Sequence, residues 1–360
     1  MRSMSNAPDT SYRHLAAAYA ARQLAALPKH LRAVRNGSRG ECVHQARVAG
    51  RRLRVAIRVF APCFPAKPAR RWRRQLRRLL RTLGEARDRD VQIAQLDDLL
   101  AATDDRRLRP GIERLGLRLR QQRDRRQDDL LAAVKRFERS GTMDQMRQSL
   151  ADLGPARIRR GADVRSRTVF AEGSRQMLAA LQTLLGYRDC LWNPRDVARH
   201  HAMRIAAKRL RYAMEAFAAA YPSGLKPQID AARQLQTALG DLHDCDVWME
   251  QLDTFIREEQ EHTEEYFGHT RPFARLRPGL DHLVERQRRR RDELFAEAGR
   301  TWSRLGDQAV WEKLVQTLDR RLRQAEATEP TAERPDVPDA PPPQATDPRD
   351  DARAANKDSP

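Results

Sequence analysis

Lysine is scarce in this 360-residue chain: seven of its 69 basic residues are Lys and the other 62 are Arg. Aromatic residues make up only 6% and there are 17 glycines. Strands favour β-branched and aromatic residues, so this is poor material for a β-sandwich or barrel. The four cysteines (Cys42, Cys63, Cys190 and Cys245) are widely spaced with no C-x-x-C pair. That argues against a zinc ribbon or a disulfide scaffold. No apolar run approaches the length of a bilayer; Leu15 to Leu27 is the longest kind present, and Arg22 interrupts it. The first residues also lack the apolar core of a secretory signal. The expectations are no membrane association, reduced thiols and a cytoplasmic location.

What the chain has instead is Ala, Leu, Arg and Gln, all good helix formers, and a net charge of +20. A protein this basic attracts anionic partners: nucleic acid, a membrane surface or a polyphosphate. The charge is unevenly spread. Residues 326–360 hold eight of the 20 prolines, nine acidic residues, four basic ones and no aromatic. Such a segment cannot bury enough apolar surface to offset the entropy of ordering, so a disordered tail is expected from about residue 323. The remainder divides at Pro and Gly signals, among them Pro28, Gly84, Pro110-Gly111, Gly154-Pro155, Gly240 and Pro278-Gly279, into segments with helical periodicity. No stretch alternates as a strand would. The fold class read from this pattern is all-α.

Two halves repeat. His44-Gln45-Ala46-Arg47-Val48-Ala49-Gly50-Arg51-Arg52-Leu53-Arg54 returns 157 residues later as His201-Ala202-Met203-Arg204-Ile205-Ala206-Ala207-Lys208-Arg209-Leu210-Arg211, and Phe60 meets Phe217 at the same spacing. Leu83-Gly84-Glu85-Ala86-Arg87-Asp88-Arg89-Asp90-Val91 returns as Leu239-Gly240-Asp241-Leu242-His243-Asp244-Cys245-Asp246-Val247, and Leu108-Arg109-Pro110-Gly111 as Leu276-Arg277-Pro278-Gly279. Three echoes in one order imply a duplication, with halves at about 10–155 and 156–322. In the second echo, Gly84 and Gly240 are expected to end a helix and Asp88 and Asp244 to cap the next.

On a helical wheel of about 100° per residue, His44, Arg47, Arg51, Arg54 and Arg58 fall within roughly 80° of arc, opposite Ala46, Leu53, Ile57 and Phe60. His201, Arg204, Lys208 and Arg211 repeat that stripe opposite Met203, Leu210, Met214 and Phe217. Glu215 stands where the first half has Arg58. Like charges at i,i+3 and i,i+4 repel, and no Glu relieves them between Arg47 and Arg58. Decoration for solubility has no reason to keep register across two copies. Each stripe is about 15 Å long, which suits a linear anion with repeated charges. The planar fork of Arg binds phosphate oxygens in pairs. The flanking cations favour neutral imidazoles at His44 and His201 until an anion arrives, when they are expected to donate to it. Arg70, Arg74, Arg77 and Arg81 form a further stripe, in which only Arg77 has a basic counterpart, Arg233. Arg118 to Arg126 and Arg286 to Arg291 add charge.

These elements resemble the CHAD domain, a histidine-bearing α-helical family. The resemblance lies in Val43-His44-Gln45-x-Arg47-Val48-x-x-Arg51-Arg52-Leu53-Arg54, Leu83-Gly84-x-x-Arg87-Asp88-x-Asp90-Val91, His201-x-x-Arg204-Ile205-x-x-Lys208-Arg209-Leu210-Arg211-Tyr212 and Leu235-Gln236-x-x-Leu239-Gly240-x-x-x-Asp244-x-Asp246-Val247, and it covers about residues 10 to 320. It implies two four-helix bundles related by a pseudo-twofold axis, with the His/Arg/Lys helices facing across a basic cleft. It also implies binding of inorganic polyphosphate and association with polyphosphate granules, without catalysis; no cofactor or metal is expected. Arg52 and Arg209, which stand in the family's motif, join the binding candidates. Glu215 departs from the pattern and puts symmetric ligand contacts in doubt.

Two other functions fit the charge less well. Nucleic-acid binding would be supported by stacking aromatics between the stripes, and none is interleaved there. A metal-dependent phosphohydrolase is suggested only by His200-His201 and His243-Asp244, among stripes where Arg replaces the carboxylates a metal site needs.

Overall fold

The computed structural model describes residues 9–37, 40–154, 164–221 and 224–328. These form eleven α-helices joined by short turns and 3-10 segments, with no strand among the described residues. In the first half they are α1 (Thr10–Arg35), α2 (Glu41–Val59), α3 (Ala66–Ala101), α4 (Arg109–Arg125), α5 (Gln127–Arg139) and α6 (Thr142–Ala151). In the second they are α7 (Arg167–Leu185), α8 (Val197–Phe217), α9 (Lys226–Phe267), α10 (Arg277–Asp307) and α11 (Val310–Thr328). The order repeats: α2 matches α8, α3 matches α9, and α4 with α5 spans the same stretch as the unbroken α10 at a spacing of 168 residues. Helix α11 continues to Thr328, so 323–328, assigned to the tail from composition, is helical. The rest of that tail lies outside the described residues.

Three expected breaks are absent. Pro28 sits inside α1, where the buried Leu24, Leu27 and Leu31 hold the helix through the lost backbone donor. Gly84 and Gly240 lie in the middle of α3 and α9, and Asp88 and Asp244 therefore cap nothing. Local signals favoured a stop at these glycines. Both helices nevertheless run on, and a side chain of the neighbouring helix lies over each glycine.

The apolar stripes of α2 and α8 are buried as the wheel requires: Ala46, Leu53, Ile57, Phe60, Met203, Leu210, Met214 and Phe217 are at most 2% exposed. Phe60 and Phe217 touch each other, ring centroids 5.5 Å apart, with Tyr12 packed on both. The main hydrophobic core consequently runs through both halves without interruption, so the two bundles share one core. A second core joins the far ends of α3 and α9 to α4 and α10 through Leu96, Ile112, Trp248, Leu252, Phe255 and Leu280. Here the starts of α4 and α10 cross in close contact. A Cβ on Gly111 would lie 2.2 Å from the Leu276 carbonyl oxygen, and one on Gly279 would lie 2.0 Å from that of Leu108. Only glycine permits the crossing, and the contact is reciprocal, as a pseudo-twofold axis demands.

Candidate functional site

Because the apolar faces of α2 and α8 enter one core, their charged faces come to lie side by side, flanked by α3 and α9. Arg51, Arg54, Arg204 and Lys208 are partly buried there, and Arg58, Arg77 and Arg209 are exposed. None of these seven makes an ion pair within 4 Å among the described residues. Burial, then the cations Arg51, Arg204, Arg54 and Arg209, lowers the Lys208 ammonium to about 8. Burial and then Arg77, Arg51 and Arg73 lower Arg54. Partial burial of the guanidinium on an otherwise exposed side chain, and then Arg209, Arg54 and Arg73, lower Arg58. Arg204 is lowered by burial and by Arg51 and Arg47, against the pull of Asp244 and Asp88. Charges of one sign, four of them partly buried and contributed by both halves, thus crowd the surface between α2 and α8. Each disfavours the charge of its neighbours.

Four of the sequence candidates are already engaged by carboxylates. Arg47 donates to Asp88 at 3.0 Å. Arg52 lies 3.6 Å from Glu215, and Arg211 lies 3.7 Å from the same residue. The break in symmetry at Glu215 is therefore an ion pair joining α2 to α8. Arg233 is paired with Asp230 at 2.6 Å on α9 and is not drawn into this cluster. Gly84 faces Arg47, whose Nη2 would lie 3.5 Å from a Cβ there, and Gly240 faces Arg204, whose Cδ would lie 3.9 Å away, both ordinary van der Waals contacts. The Gly-x-x-x-Asp element therefore lies beneath the arginines of the neighbouring helix, and one turn later Asp88 accepts from Arg47 while Asp244 makes no ion pair with Arg204.

Both candidate histidines line the trough. Burial lowers His44, as do Arg87, Arg47 and Arg51, against Glu41. Burial also lowers His201, with Arg204 and Lys208 adding to it. Next to His201 stands His243, their Nδ1 atoms 3.2 Å apart. One ring donates its N–H to the other, which requires that at least one be neutral. Burial, Arg204, His201 and Lys208 hold His243 down to about 4. His243 occupies the place of Arg87 in the first half, so one end of the trough pairs His with Arg and the other pairs His with His. Arg73, Arg87 and His243 were missed as site residues. The second repeat contains two of them, and their spacing from the histidine helix was the available signal. His200, by contrast, is 1% exposed and bonded to the Cys190 carbonyl at 2.8 Å, outside the trough.

The second aspartate of each repeat has a separate job. Asp90 accepts from Arg123 at 2.7 Å, and Asp246 from Arg291 at 2.6 Å. Arg123 is 1% exposed. From the dense Arg runs, then, one residue in each half turns inward and ties α4 to α3 or α10 to α9. A buried charge of this kind is tolerated only because it is paired. The Nε–H of Arg204 and of Arg211, by contrast, is buried with no acceptor among protein atoms. Among the described residues no group of three or more His, Cys, Asp or Glu converges as metal ligands do, and no helix is long and apolar enough to cross a membrane.

Duplicated helices that present paired His and Arg ridges side by side define a helical scaffold built in two copies with one shared cationic surface. The family model of the CHAD domain matches residues 18–253. The chain belongs to the CHAD domain family. Among solved structures it is similar to the CHAD domain from the plant Ricinus communis, at 23% identity with a TM-score of 0.54, covering 89% of this chain and 95% of that one. It is also similar to PptA from Streptomyces chartreusis, at 17% identity with a TM-score of 0.56, covering 82% and 99%. At such identities the likeness is one of fold. No curated protein matches the chain in sequence.

Proposed function

We propose that the protein binds inorganic polyphosphate lengthwise along the trough between α2 and α8, holding the polymer without transforming it, and so associates with polyphosphate granules in the cytoplasm. The observation that carries this reading is the convergence of Arg51, Arg54, Arg58 and Arg77 with Arg204, Lys208 and Arg209, all without protein carboxylates within 4 Å. Crowded cations of one sign, four of them partly buried, cost stability in the free protein. A polyanion with a charge on every phosphate relieves that cost along its length, and Arg forks supply charge-assisted bonds to its oxygens. His44 and His201 then act as donors at the two ends.

The test is a competition titration of polyphosphate, DNA and RNA at matched salt. Polyphosphate is expected to bind more tightly than single-stranded DNA of equal charge at about 0.15 M salt, where counterion release makes comparison across salts meaningless. Seven cations engaged at about 0.7 counterions each give a slope of log K against log salt of about −5 or steeper. Equal or preferential binding of DNA or RNA would replace this reading with nucleic-acid binding. Affinity is also expected to rise as pH falls from about 8 to 6, and His44→Ala with His201→Ala should flatten the rise.

A further inference from the structure

The outer face of α3 carries a cationic surface beyond the trough. From Lys67 to Arg81 every exposed residue is Lys or Arg. Like charges at i,i+3 and i,i+4 repel, and no acidic residue stands between Ala66 and Gly84 to relieve them. None of these cations makes an ion pair within 4 Å among the described residues. The matching face of α9 is built differently. Pro227, Asp230, Gln234 and Thr237 hold the positions of Arg71, Arg74, Arg78 and Arg81, and Asp230 accepts from Lys226 at 2.9 Å and from Arg233 at 2.6 Å. One half neutralises this face and the other leaves it bare. A general excess of Arg in the chain would load both halves alike.

The bare face is continuous with the trough at one edge and ends in a cavity at the other. On a wheel of about 100° per residue its cations cover about 160° of arc, from Arg73 and Arg77 through Arg81 and Arg74 to Arg78 and Arg71. The first edge belongs to the trough: Arg73 and Arg77 both act on Arg54, and Arg73 also on Arg58. At the other edge a cavity of about 140 Å³ lies between α3 and α5, where Arg78, Arg81 and Arg136 converge with Gln75 and Thr82. It is smaller than the usual site of an organic ligand, and guanidinium groups on its walls suit a phosphate. No exposed aromatic residue stands on this face to stack on a base.

We infer that the cationic face of α3 is a second contact for the polymer held in the trough: a long polyphosphate leaves the trough past Arg73 and Arg77, crosses α3, and is anchored in the cavity of Arg78, Arg81 and Arg136. This rests on the polyphosphate reading and adds two properties to it. The polymer continues over the first half only, and chains that outrun the trough bind more tightly than those that fit within it.

The test compares tripolyphosphate, short enough for the trough alone, with long-chain polyphosphate, each titrated calorimetrically into the full chain in phosphate-free buffer at about 0.15 M salt. Arg74→Glu with Arg78→Glu and Arg81→Glu should weaken long-chain binding about tenfold or more and make its salt slope shallower by about two, three contacts at about 0.7 counterions each. Tripolyphosphate affinity should stay near the parent's. Arg271→Glu with Arg275→Glu and Arg277→Glu imposes the same charge change at the start of α10, where salt screens it from the α3 face, and should leave both affinities near the parent's. If charge reversal on α3 lowers helical content, Arg74→Gln with Arg78→Gln and Arg81→Gln keeps good helix formers there and should show the same selective loss. Unchanged long-chain affinity in the folded α3 variants, an equal loss for tripolyphosphate, or an equal loss in the α10 variant would overturn the inference and leave trough binding standing. A parent that binds neither probe would refute the trough reading as well.

Discussion

Replacing Lys208 by Met should make the free protein more stable and a poorer binder, and the structure gives the size of both effects. A lysine ordinarily titrates at 10.5, and burial together with Arg51, Arg204, Arg54 and Arg209 brings this one to about 8. That difference corresponds to about 3 kcal/mol of unfavourable free energy for carrying the charge in the folded state. The group is a base whose folded value is depressed, so the unfolded chain binds more protons between pH 8 and 10.5. The cost is therefore fully present below about pH 8 and is relieved as pH rises towards 10.5. Met keeps an unbranched stem of similar packing. At pH 7 the variant should gain up to about 3 kcal/mol in urea denaturation followed by helical circular dichroism, and the gain should fade by about pH 10.5. Polyphosphate titration of the same variant should show weaker binding, with a salt slope shallower by about one. A variant less stable than the parent at pH 7, or a gain independent of pH, would show that Lys208 is not held among like charges and that the trough is not a store of electrostatic strain.

Two further outcomes are expected. Gly111→Ala places a methyl 2.2 Å from the Leu276 carbonyl oxygen and 3.1 Å from Gly279 Cα, both backbone atoms that cannot swing aside. It should lower stability by the upper end of about 1–3 kcal/mol, read as a fall in melting temperature, whereas a neutral result would mean that the helices do not cross there. His243→Arg gives the second end of the trough the His–Arg pairing of the first, and should strengthen polyphosphate binding severalfold. With His243 held to about 4 it is neutral at pH 6 and at pH 8 alike, so the improvement should be similar at both. A gain confined to pH 8 would mean that the histidine was already charged at pH 6.

The mid-helix glycines show where reading along the chain goes wrong. Gly84 followed by Asp88 has the composition of a helix stop and restart, and a local scan has no other use for a glycine that costs about 1 kcal/mol inside a helix. What the glycine faces becomes visible only when α2 is laid across α3 and Arg47 passes over it. The aspartates followed the same course, Asp88 meeting the trough arginine and Asp90 a buried one from α4. Of the candidate cations, Arg52, Arg211 and Arg233 were assigned to the ligand by stripe and motif, and their carboxylate partners come from a facing helix or from a turn away on their own.

What the amino-acid order determined by itself is therefore everything with a short period or a repeated register: the helices, the buried stripe opposite the cationic one, the duplication, and the histidine at the head of each ridge. Those follow from geometry within three or four residues and from counting. Tertiary structure alone decided which faces meet, and hence that the halves share one core, that Glu215 ties the ridges and that His243 completes one end. Such facts depend on desolvation and contact between groups some 40 to 160 residues apart, and no local pattern encodes which distant side chain will stand within 4 Å.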